Sequence, residues 1–470
     1  MDFMRTERAA WRRMRRGERL ALRLYGLVMR LLPAWAVIGI LRRRAARNPG
    51  REPPDRVPER MGLGQPARPD GPVIWFHGIG PGDATMHLPL IRAALGRDGT
   101  ATCLVTTRTA AGQKVFARLG EPARVITVLA PLDTPAAMRR FLDHWRPKLA
   151  VHGELDIWPH ALTELKRRGV PIALVNAQMN GRLGRAFQRQ PGLARWMATH
   201  VDYLHLFTDA EAAEARPWFR PDCIIAVERN LKMDAPPLPV SDAIMAGVRA
   251  AWQDAPVLTC ASIAHHEVKP LIEAARQLGP DLPDLRLILV PRWAEDGDAF
   301  ADLLRAQGTG FSRRAPGGGL PRAQDRVFIA DSYGEMGSWI ALSFAVFMGH
   351  TLNGGIGHNP FEPIAQRRPI LSGSIPTLLH ADYRYLADLG LCHVAPDAPA
   401  IASRALALWQ ARDQDNAAFA RIAAARGFAA RMMDDMLALC APHPRSSAGA
   451  EVGARTGEGA IPLAGPSALR

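Results

Sequence analysis

Short apolar segments alternate with helix-compatible segments through most of the sequence, and this alternation limits the possible folds more than any other feature. The first series of strand-like segments lies at 72–78, 100–107, 123–130, 148–154 and 170–177. A second series lies at 256–262, 285–292, 325–331, 343–349 and 368–373. Strands that alternate with helices form parallel sheets covered by helices on both faces. The sequence therefore predicts two successive doubly wound, Rossmann-like α/β domains, at 73–235 and 250–441.

The remaining segments differ from these domains in composition. The chain has 470 residues, more than one hydrophobic core usually organises. Residues 48–72 are rich in proline, glycine and charge and are predicted to be a linker, whereas the small and polar residues of 442–470 predict a disordered tail. Doubly wound domains bind ligands beyond the carboxyl ends of their strands, so we expect a crevice between the two domains.

The positive charge is concentrated at the N-terminus. The net charge is +14, and residues 1–50 contain 13 Arg and three acidic residues, which leaves only +4 for the rest of the chain. A nucleic-acid-binding domain spreads its basic residues over a folded face. The distribution therefore argues against a nucleic acid as a partner.

Residues 1–47 combine this charge with an apolar run at 20–41. Arg23 and Arg30 interrupt the run, and the uncharged stretch 31–41 is shorter than the roughly 20 residues that span a bilayer. A basic and apolar segment of this kind is typical of helices that lie in an interface of anionic lipids, and the positive-inside bias places the two α/β domains in the cytoplasm. An amphipathic helix packed on its own domain is the alternative.

No metal or cofactor site is predicted. The five cysteines are scattered and form no CxxC pair. His265, His266 and Glu267 resemble a metal site, but adjacent histidines do not share one face of a helix. The acidic residues of 296–298 are better explained by an exposed loop.

Three carboxylates are candidates for acid–base chemistry in the first domain. Asp83 follows the first strand and a glycine-rich turn, where it can act as a general base or cap the following helix; spacing alone favours the cap. Glu154 and Asp156 follow the fourth strand. An unpaired buried carboxylate is costly, so we expect them to line the crevice.

Polar residues also follow the strands of the second domain. Arg292 ends the second strand there, where it can bind an anion, and Glu335 follows the third. The segment GHNPFEP (357–363) permits a helix capped by Asn359, but we favour a helix that begins at Pro363 because proline cannot donate a hydrogen bond within a helix. Asn359 and Glu362 would then face the crevice.

Five motifs occur in the order found in a known family. They are E-x-D-I-W-P (154–159), NLKMD (230–234), VPR (290–292), DSYGEM (331–336) and GHNPFEP, where the family has Gly-His-Asn-Pro-Leu-Glu-Pro. In this respect the chain resembles the 3-deoxy-D-manno-octulosonic acid (Kdo) transferases. The resemblance implies a GT-B glycosyltransferase that transfers Kdo from CMP-Kdo to a lipid A precursor, with inversion, at the cytoplasmic face of the Gram-negative inner membrane. It implies no metal.

The resemblance also assigns roles to residues. Asp83 aligns with the family's catalytic Glu, and we expect Glu154 and Asp156 to support or replace it. The residues expected to bind the nucleotide sugar are Lys232, Pro291, Arg292, Gly334, Glu335, Met336, Asn359 and Glu362.

Some positions depart from the family pattern. Ala264 stands where the family has a His, Trp293 replaces the His that follows the Pro-Arg pair, and Gln178 stands where the family has an Arg. Two alternatives therefore stay open: a GT-B transferase that uses another nucleotide sugar on a lipid-linked acceptor, and a non-catalytic protein at the membrane surface.

Overall fold

The computed structural model of the protein describes residues 3–47, 53–78, 80–116, 123–154, 157–179, 181–315, 318–377, 379–414 and 416–441. The side chains of residues 34, 81–83, 111, 114 and 182 are not described. The predicted tail at 442–470 and the candidate Asp156 lie outside the described residues, and only the backbone of Asp83 lies within them.

The N-terminal segment forms three helices, α1 (Phe3–Arg13), α2 (Arg16–Leu31) and α3 (Ala34–Arg47). The carboxylate of Glu18 accepts a hydrogen bond from the Arg15 amide just before α2 (2.7 Å). It also accepts one from the Gly192 amide (2.9 Å), which joins α2 to the first domain. Among the described residues, no single helix is long and apolar enough to cross a membrane. However, α2 and Trp35–Arg47, which are bent by 88°, together have sufficient length and apolar character.

The segment predicted as a linker packs in part on the first domain. Its residues Pro54–Met61 form a 3-10 helix in which Glu59 and Arg60 are buried. The Glu59 carboxylate accepts a hydrogen bond from the Leu129 amide (2.6 Å), and Arg60 donates to the Ala130 carbonyl (3.0 Å). These contacts attach the 3-10 helix to the end of a strand.

The first domain is a seven-stranded parallel sheet with helices between the strands. Its elements in chain order are β1 (Val73–Gly78), α4 (Pro81–Arg97), β2 (Thr102–Thr107), α5 (Ala110–Lys114), β3 (Val125–Leu129), α6 (Pro135–Trp145), β4 (Leu149–Gly153), α7 (Pro159–Arg167), β5 (Ile172–Val175), α8 (Arg182–Arg189), α9 (Pro191–Ala198), β6 (Tyr203–Leu206), α10 (Asp209–Ala215) and β7 (Ile224–Val227). The sheet order is β3-β2-β1-β4-β5-β6-β7, and every residue of β1, β2, β4 and β5 is buried.

The second domain repeats this architecture. Its elements are α11 (Asp242–Trp252), β8 (Val257–Ile263), α12 (Val268–Leu278), β9 (Arg286–Pro291), α13 (Gly297–Ala306), β10 (Ser312–Arg313), β11 (Val327–Ile329), α14 (Met336–Leu342), β12 (Ala345–Met348), α15 (Phe361–Ala365), β13 (Ile370–Ser372), α16 (His380–Asp388), β14 (Cys392–Val394), α17 (Ala398–Gln410), α18 (Ala417–Ala424) and α19 (Phe428–Ala438). The parallel sheet has the order β10-β11-β9-β8-β12-β13-β14. The prediction of two doubly wound α/β domains is therefore confirmed.

Side chains at the helix starts explain where several helices begin. Thr134 accepts a hydrogen bond from the Ala137 amide (3.2 Å) ahead of α6, and Asp397 accepts one from the Ala400 amide (2.9 Å) ahead of α17. Both helices carry proline in the first turn, where its missing N–H has no intrahelical partner to lose.

The last helix returns to the first domain. Asp234, in the connection between the domains, accepts hydrogen bonds from the amides of Gly427 (2.7 Å) and Ala429 (2.8 Å) at the start of α19. Farther along α19, Asp434 forms an ion pair with Arg97 of α4. These contacts hold the two domains together on one side of the crevice.

Candidate active site

A cavity lies between the domains at the start of α4. It is lined by residues of α4, of the interdomain connection, and of the loop after β12 and the start of α15. They include Thr85, Leu88, Arg92, Lys232, Pro236, Asn359, Phe361 and Glu362. The fold therefore brings Lys232, Asn359 and Glu362, all predicted from the sequence, to the same cavity. α4 contributes Thr85, two residues after Asp83.

The position of Asp83 differs from the one that spacing favours. Because α4 begins at Pro81, the cap position precedes Asp83, which lies in the first helical turn. The amide of Ala84 already donates to the Gly80 carbonyl (2.8 Å), as expected inside a helix. The prediction that Asp83 is the N-cap is therefore wrong, and its role as a base stays a prediction.

The end of β4 lies against the first turns of α4. A Cβ atom at Gly153 would collide with the terminal methyl group of Met86. Glu154 follows with φ 51°, and its amide donates to the Val175 carbonyl at the end of β5 (2.8 Å). Glu154 and the start of α4 are consequently neighbours, because β1 and β4 are adjacent strands.

Two asparagines and an aspartate form a buried network where the domains meet. The Asn176 side-chain amide donates to Asn230 Oδ1 (3.0 Å), and the Asn230 amide donates to Asp382 Oδ2 (2.8 Å). Burial raises the pKa of Asp382 to about 6, while the hydrogen bond from Asn230 and the charge of Lys232 oppose that rise. The network fixes the segment that carries Lys232 between the two sheets.

Glu267 organises the loops at the carboxyl ends of β8 and β12. Its buried carboxylate accepts four backbone hydrogen bonds. One oxygen accepts from the amides of Ala264 (2.8 Å) and His350 (2.8 Å), and the other from Thr351 (3.0 Å) and Leu352 (3.1 Å). The function of this carboxylate is thus to hold backbone, not to bind a ligand.

Two histidines lie beside Arg292. The rings of His350 and His358 meet edge to face with centroids 5.2 Å apart. Burial, together with the nearby charge of Arg292, lowers the pKa of His358 to about 3; burial also lowers the pKa of His350. Both rings are therefore neutral at neutral pH, and they can exchange hydrogen bonds with a ligand without adding charge.

Arg292 is the cation best placed to bind an anion. Partial burial lowers its pKa, and Glu362 and Tyr333 oppose that effect through their charges. Within the part of the chain that the structure describes, its guanidinium forms no hydrogen bond or ion pair, and it lies 5.0 Å from the centroid of the Trp293 ring. An arginine that is partly desolvated and lacks a bound carboxylate is suited to a phosphate.

Glu335 is paired within its own domain. Arg314 donates two hydrogen bonds to its carboxylate (2.8 and 3.1 Å), and Ser332 donates a third. The hydrogen bonds from Arg314 lower the pKa of Glu335. Gly334 precedes it with φ 90°, in the left-handed region that favours glycine.

The remaining nucleotide-site candidates flank these residues. Met336 is the first residue of α14, and Pro291 is the last residue of β9. Both lie at the carboxyl edge of the second sheet.

The segment GHNPFEP enters a helix in a different way from either prediction. α15 begins at Phe361, so Pro363 is its third residue, where a missing N–H has no intrahelical partner to lose. Asn359 Oδ1 accepts a hydrogen bond from the Phe361 amide (3.2 Å), and its Nδ2 donates to Glu362 Oε1 (3.3 Å). The prediction of a helix that begins at Pro363 is therefore wrong, and Asn359 binds Glu362 at the cavity wall.

No metal centre is found among the residues that the structure describes, since no three His, Cys, Asp or Glu side chains converge. Glu267 is occupied by backbone amides, and Asp298 pairs with Arg313 (2.5 Å).

Sequence reasoning missed His350, His358 and Asp382 as parts of this region. His358 stands inside the motif GHNPFEP and was therefore visible, but the burial that neutralises it was not. Asp382 lies on α16, where only the packing of the two domains brings it to Asn230.

The comparisons with known proteins agree with this arrangement. The profile of the family described as 3-Deoxy-D-manno-octulosonic-acid transferase (kdotransferase) matches residues 55–235. A 3-deoxy-D-manno-octulosonic acid transferase of Haemophilus influenzae is 27% identical over 390 residues, which are 81% of this chain and 90% of the relative. One of Bordetella pertussis is 29% identical over 328 residues, 67% of this chain and 74% of the relative.

A solved structure supports the fold. The crystal structure of a putative UDP-N-acetylglucosamine 2-epimerase from Listeria monocytogenes matches with a TM-score of 0.54 at 12% identity, and the match covers 78% of this chain and 96% of the other. At this identity the likeness concerns only the two-domain architecture, which is the GT-B arrangement expected from the sequence. Family profile and curated relatives together cover both domains, and this chain is similar to 3-deoxy-D-manno-octulosonic acid transferases over most of its length.

Proposed function

We propose that this protein is an inverting glycosyltransferase that transfers Kdo from CMP-Kdo to a sugar hydroxyl of a lipid A precursor at the membrane surface. The similarity to Kdo transferases over most of the chain supports Kdo transfer from the nucleotide sugar. The observation that carries the proposal for this chain is the interdomain cavity, where residues next to Asp83 meet Lys232, Asn359 and Glu362.

The reaction is a single displacement at the anomeric carbon of Kdo. The acceptor oxygen forms the new glycosidic bond, the bond between the anomeric carbon and the phosphate oxygen breaks, and CMP leaves with the electron pair. The hydroxyl proton passes to a carboxylate, for which we propose Asp83, with Glu154 as its neighbour. Asp83 is one methylene shorter than the Glu of the family.

The leaving phosphate gains negative charge as the bond breaks, and positive charge at the cavity stabilises it. Arg292 is suited to this role because no described residue pairs with its guanidinium. Lys232 lines the cavity from the interdomain connection. The neutral His350 and His358 provide hydrogen-bonding groups beside Arg292.

A lipid acceptor requires that the protein reach a membrane, and the exposed face of α2 supports this. Leu20, Leu24, Leu27, Val28 and Leu31, which we call the α2 stripe, recur at helical spacing, and each is at least half exposed. Arginines lie among and around them. Such a helix binds an anionic interface through apolar burial and charge together.

Hydrogen bonds join α2 to the first domain, the domain expected to bind the acceptor. On the same helix, the Tyr25 hydroxyl donates to Asp133 (2.7 Å), and Asp133 also accepts from the amides of His160 (3.1 Å) and Ala161 (2.8 Å) at the start of α7. α7 follows the loop that Glu154 begins. A lipid held at α2 would therefore lie against the same domain as Glu154.

The test is CMP release from CMP-Kdo in the presence of a tetra-acylated lipid A precursor. We expect CMP release that depends on the acceptor, no UDP release when UDP-hexosamines replace CMP-Kdo, and loss of turnover in Asp83→Asn with CMP affinity retained. Turnover by Asp83→Asn contradicts the base assignment alone. Absence of release by the wild-type protein contradicts the proposed function.

A further inference from the structure

Exposed apolar side chains of the second domain are confined to one edge of its sheet. Among the described residues of 256–441, the large apolar side chains that are exposed are Trp293, Tyr333, Ile356 and Val394. Each lies at the carboxyl end of a strand or in the loop that follows one. Exposed apolar groups that cluster on one surface often mark a binding site, whereas single scattered ones do not.

Trp293 and Tyr333 stand out because they are aromatic and lie on neighbouring loops. Trp293 is 56% exposed and follows β9, whereas Tyr333 is 66% exposed and follows β11. The two strands pair directly in the sheet. The two aromatic residues thus lie on neighbouring loops, which also carry Arg292 and Gly334.

Hydrogen bonds hold these loops in place without a ligand. The Tyr333 hydroxyl donates to Glu295 Oε2 (2.8 Å) and accepts from the Ala294 amide (3.3 Å). Both partners lie in the loop after β9, within two residues of Trp293. Because Tyr333 is already fixed, binding a ligand at this surface costs little side-chain entropy.

The neighbouring groups indicate what the aromatic surface binds. The guanidinium of Arg292, 5.0 Å from the Trp293 ring centroid, is available to an anion. A nucleoside monophosphate combines a planar base with a phosphate and so matches a cation beside aromatic rings. Kdo is non-planar and rich in hydroxyl groups, and acyl chains are expected at the α2 stripe on the other domain.

We propose that Trp293 and Tyr333 form a stacking surface for the pyrimidine base of the donor nucleotide, with its phosphate at Arg292. The inference rests on the proposed function, in which the donor is a cytidine nucleotide. It also gives a physical role to Trp293, which stands where the family has a His. Here an aromatic face replaces a polar ring.

Calorimetric titration of Trp293→Ala and Tyr333→Leu tests the proposal, with CMP and ribose 5-phosphate as ligands. We expect each variant to bind CMP about tenfold more weakly, and Trp293→Phe and Tyr333→Phe to stay within about threefold of wild type because they keep the ring. Ribose 5-phosphate, which lacks a base, should bind equally to all proteins. Val394→Ser, an exposed apolar position on the edge strand β14, is the matched control and should leave CMP affinity unchanged.

Unchanged CMP affinity in Trp293→Ala and Tyr333→Leu overturns the proposal. So does a loss that appears with CMP-Kdo but not with CMP, since the aromatic surface would then face the sugar. A wild-type protein that fails to bind CMP contradicts the proposed function as well, and this result is distinguishable from the other two. Thermal melting without ligand verifies that these exposed substitutions leave the fold intact.

Discussion

The Glu267→Gln substitution tests whether one buried carboxylate holds the active-site loops of the second domain. The change keeps the size of the side chain but replaces one oxygen by an NH2 group. Four backbone amides donate to Glu267 at 2.8 to 3.1 Å, two to each oxygen. In either orientation of the glutamine amide, two backbone N–H groups would face an NH2 donor.

The magnitude follows from these two lost acceptors. A buried donor left without a partner costs about 1–3 kcal/mol, so we expect the free energy of unfolding to fall by about 2–6 kcal/mol. The loop that starts at His350 should also loosen, because its first amides lose their anchor. CMP affinity should therefore fall together with stability.

Urea denaturation and calorimetric titration with CMP measure the two effects. Glu273→Gln is the matched control, since Glu273 lies on the same helix α12 and is exposed, and among the described residues its carboxylate bonds only to Gln277 (3.2 Å). The control should resemble the wild type in both assays. If Glu267→Gln changes the unfolding free energy by less than about 1 kcal/mol, the reasoning from paired donors is wrong.

Three further predictions concern charge and exposure. Arg292→Ala should weaken CMP binding by about ten- to a hundredfold, because a hydrogen bond to a charged group contributes about 1.5–3 kcal/mol; calorimetry measures this. Burial raises the pKa of Asp382 from 3.8 to about 6, so the folded protein holds the proton more tightly than the unfolded chain between those values. The free energy of unfolding should accordingly decrease by up to about 3 kcal/mol as the pH rises from about 4 to about 6, and Asp382→Asn should remove that decrease in pH-dependent denaturation. The double substitution Leu24→Glu and Leu31→Glu should abolish co-sedimentation with anionic vesicles, since it places two charges on the α2 stripe.

Each of these has a contrary outcome, and the two binding predictions also have a control variant. Arg305→Ala removes an exposed arginine that pairs with Asp302 (2.6 Å), and it should leave CMP affinity unchanged. If it weakens CMP binding as much as Arg292→Ala does, the effect is due to the net charge of the protein and not to a contact with Arg292. For Asp382, a pH dependence that persists in the Asn variant assigns the effect to another group. For the α2 stripe, Val394→Ser should sediment like the wild type, and vesicle binding by the Leu24→Glu, Leu31→Glu protein would disprove the proposed membrane face.

Much of the fold followed from local patterns. Ten strands were predicted, and each corresponds to an observed strand within a few residues, because buried parallel strands are continuous apolar runs. The strands β6, β7, β10 and β14 were missed. They are only two to four residues long, and β7 lies at the edge of its sheet with half-exposed or exposed side chains, so the apolar run that identifies a strand is short or incomplete.

The sequence predicted only part of the candidate site. The motifs placed Arg292, Lys232, Asn359 and Glu362 at the ends of strands or in the interdomain connection, and the cavity between the domains brings the last three together. The pairing of Asn359 with Glu362, and of Glu335 with Arg314, was not visible. These pairs depend on side-chain directions at loop ends, which sequence spacing does not define.

The sequence by itself determined two parallel α/β domains, a basic and apolar N-terminus and the family motifs, because all of these depend on apolar periodicity and on the order of residues along the chain. Only the tertiary structure decided that Glu267 binds backbone, that His350 and His358 are neutral, and that Asp382 meets Asn230 across the domains. Those properties arise from burial and from contacts between residues distant in sequence, such as the 152 positions between Asn230 and Asp382. They cannot be predicted from the order of residues along the chain alone.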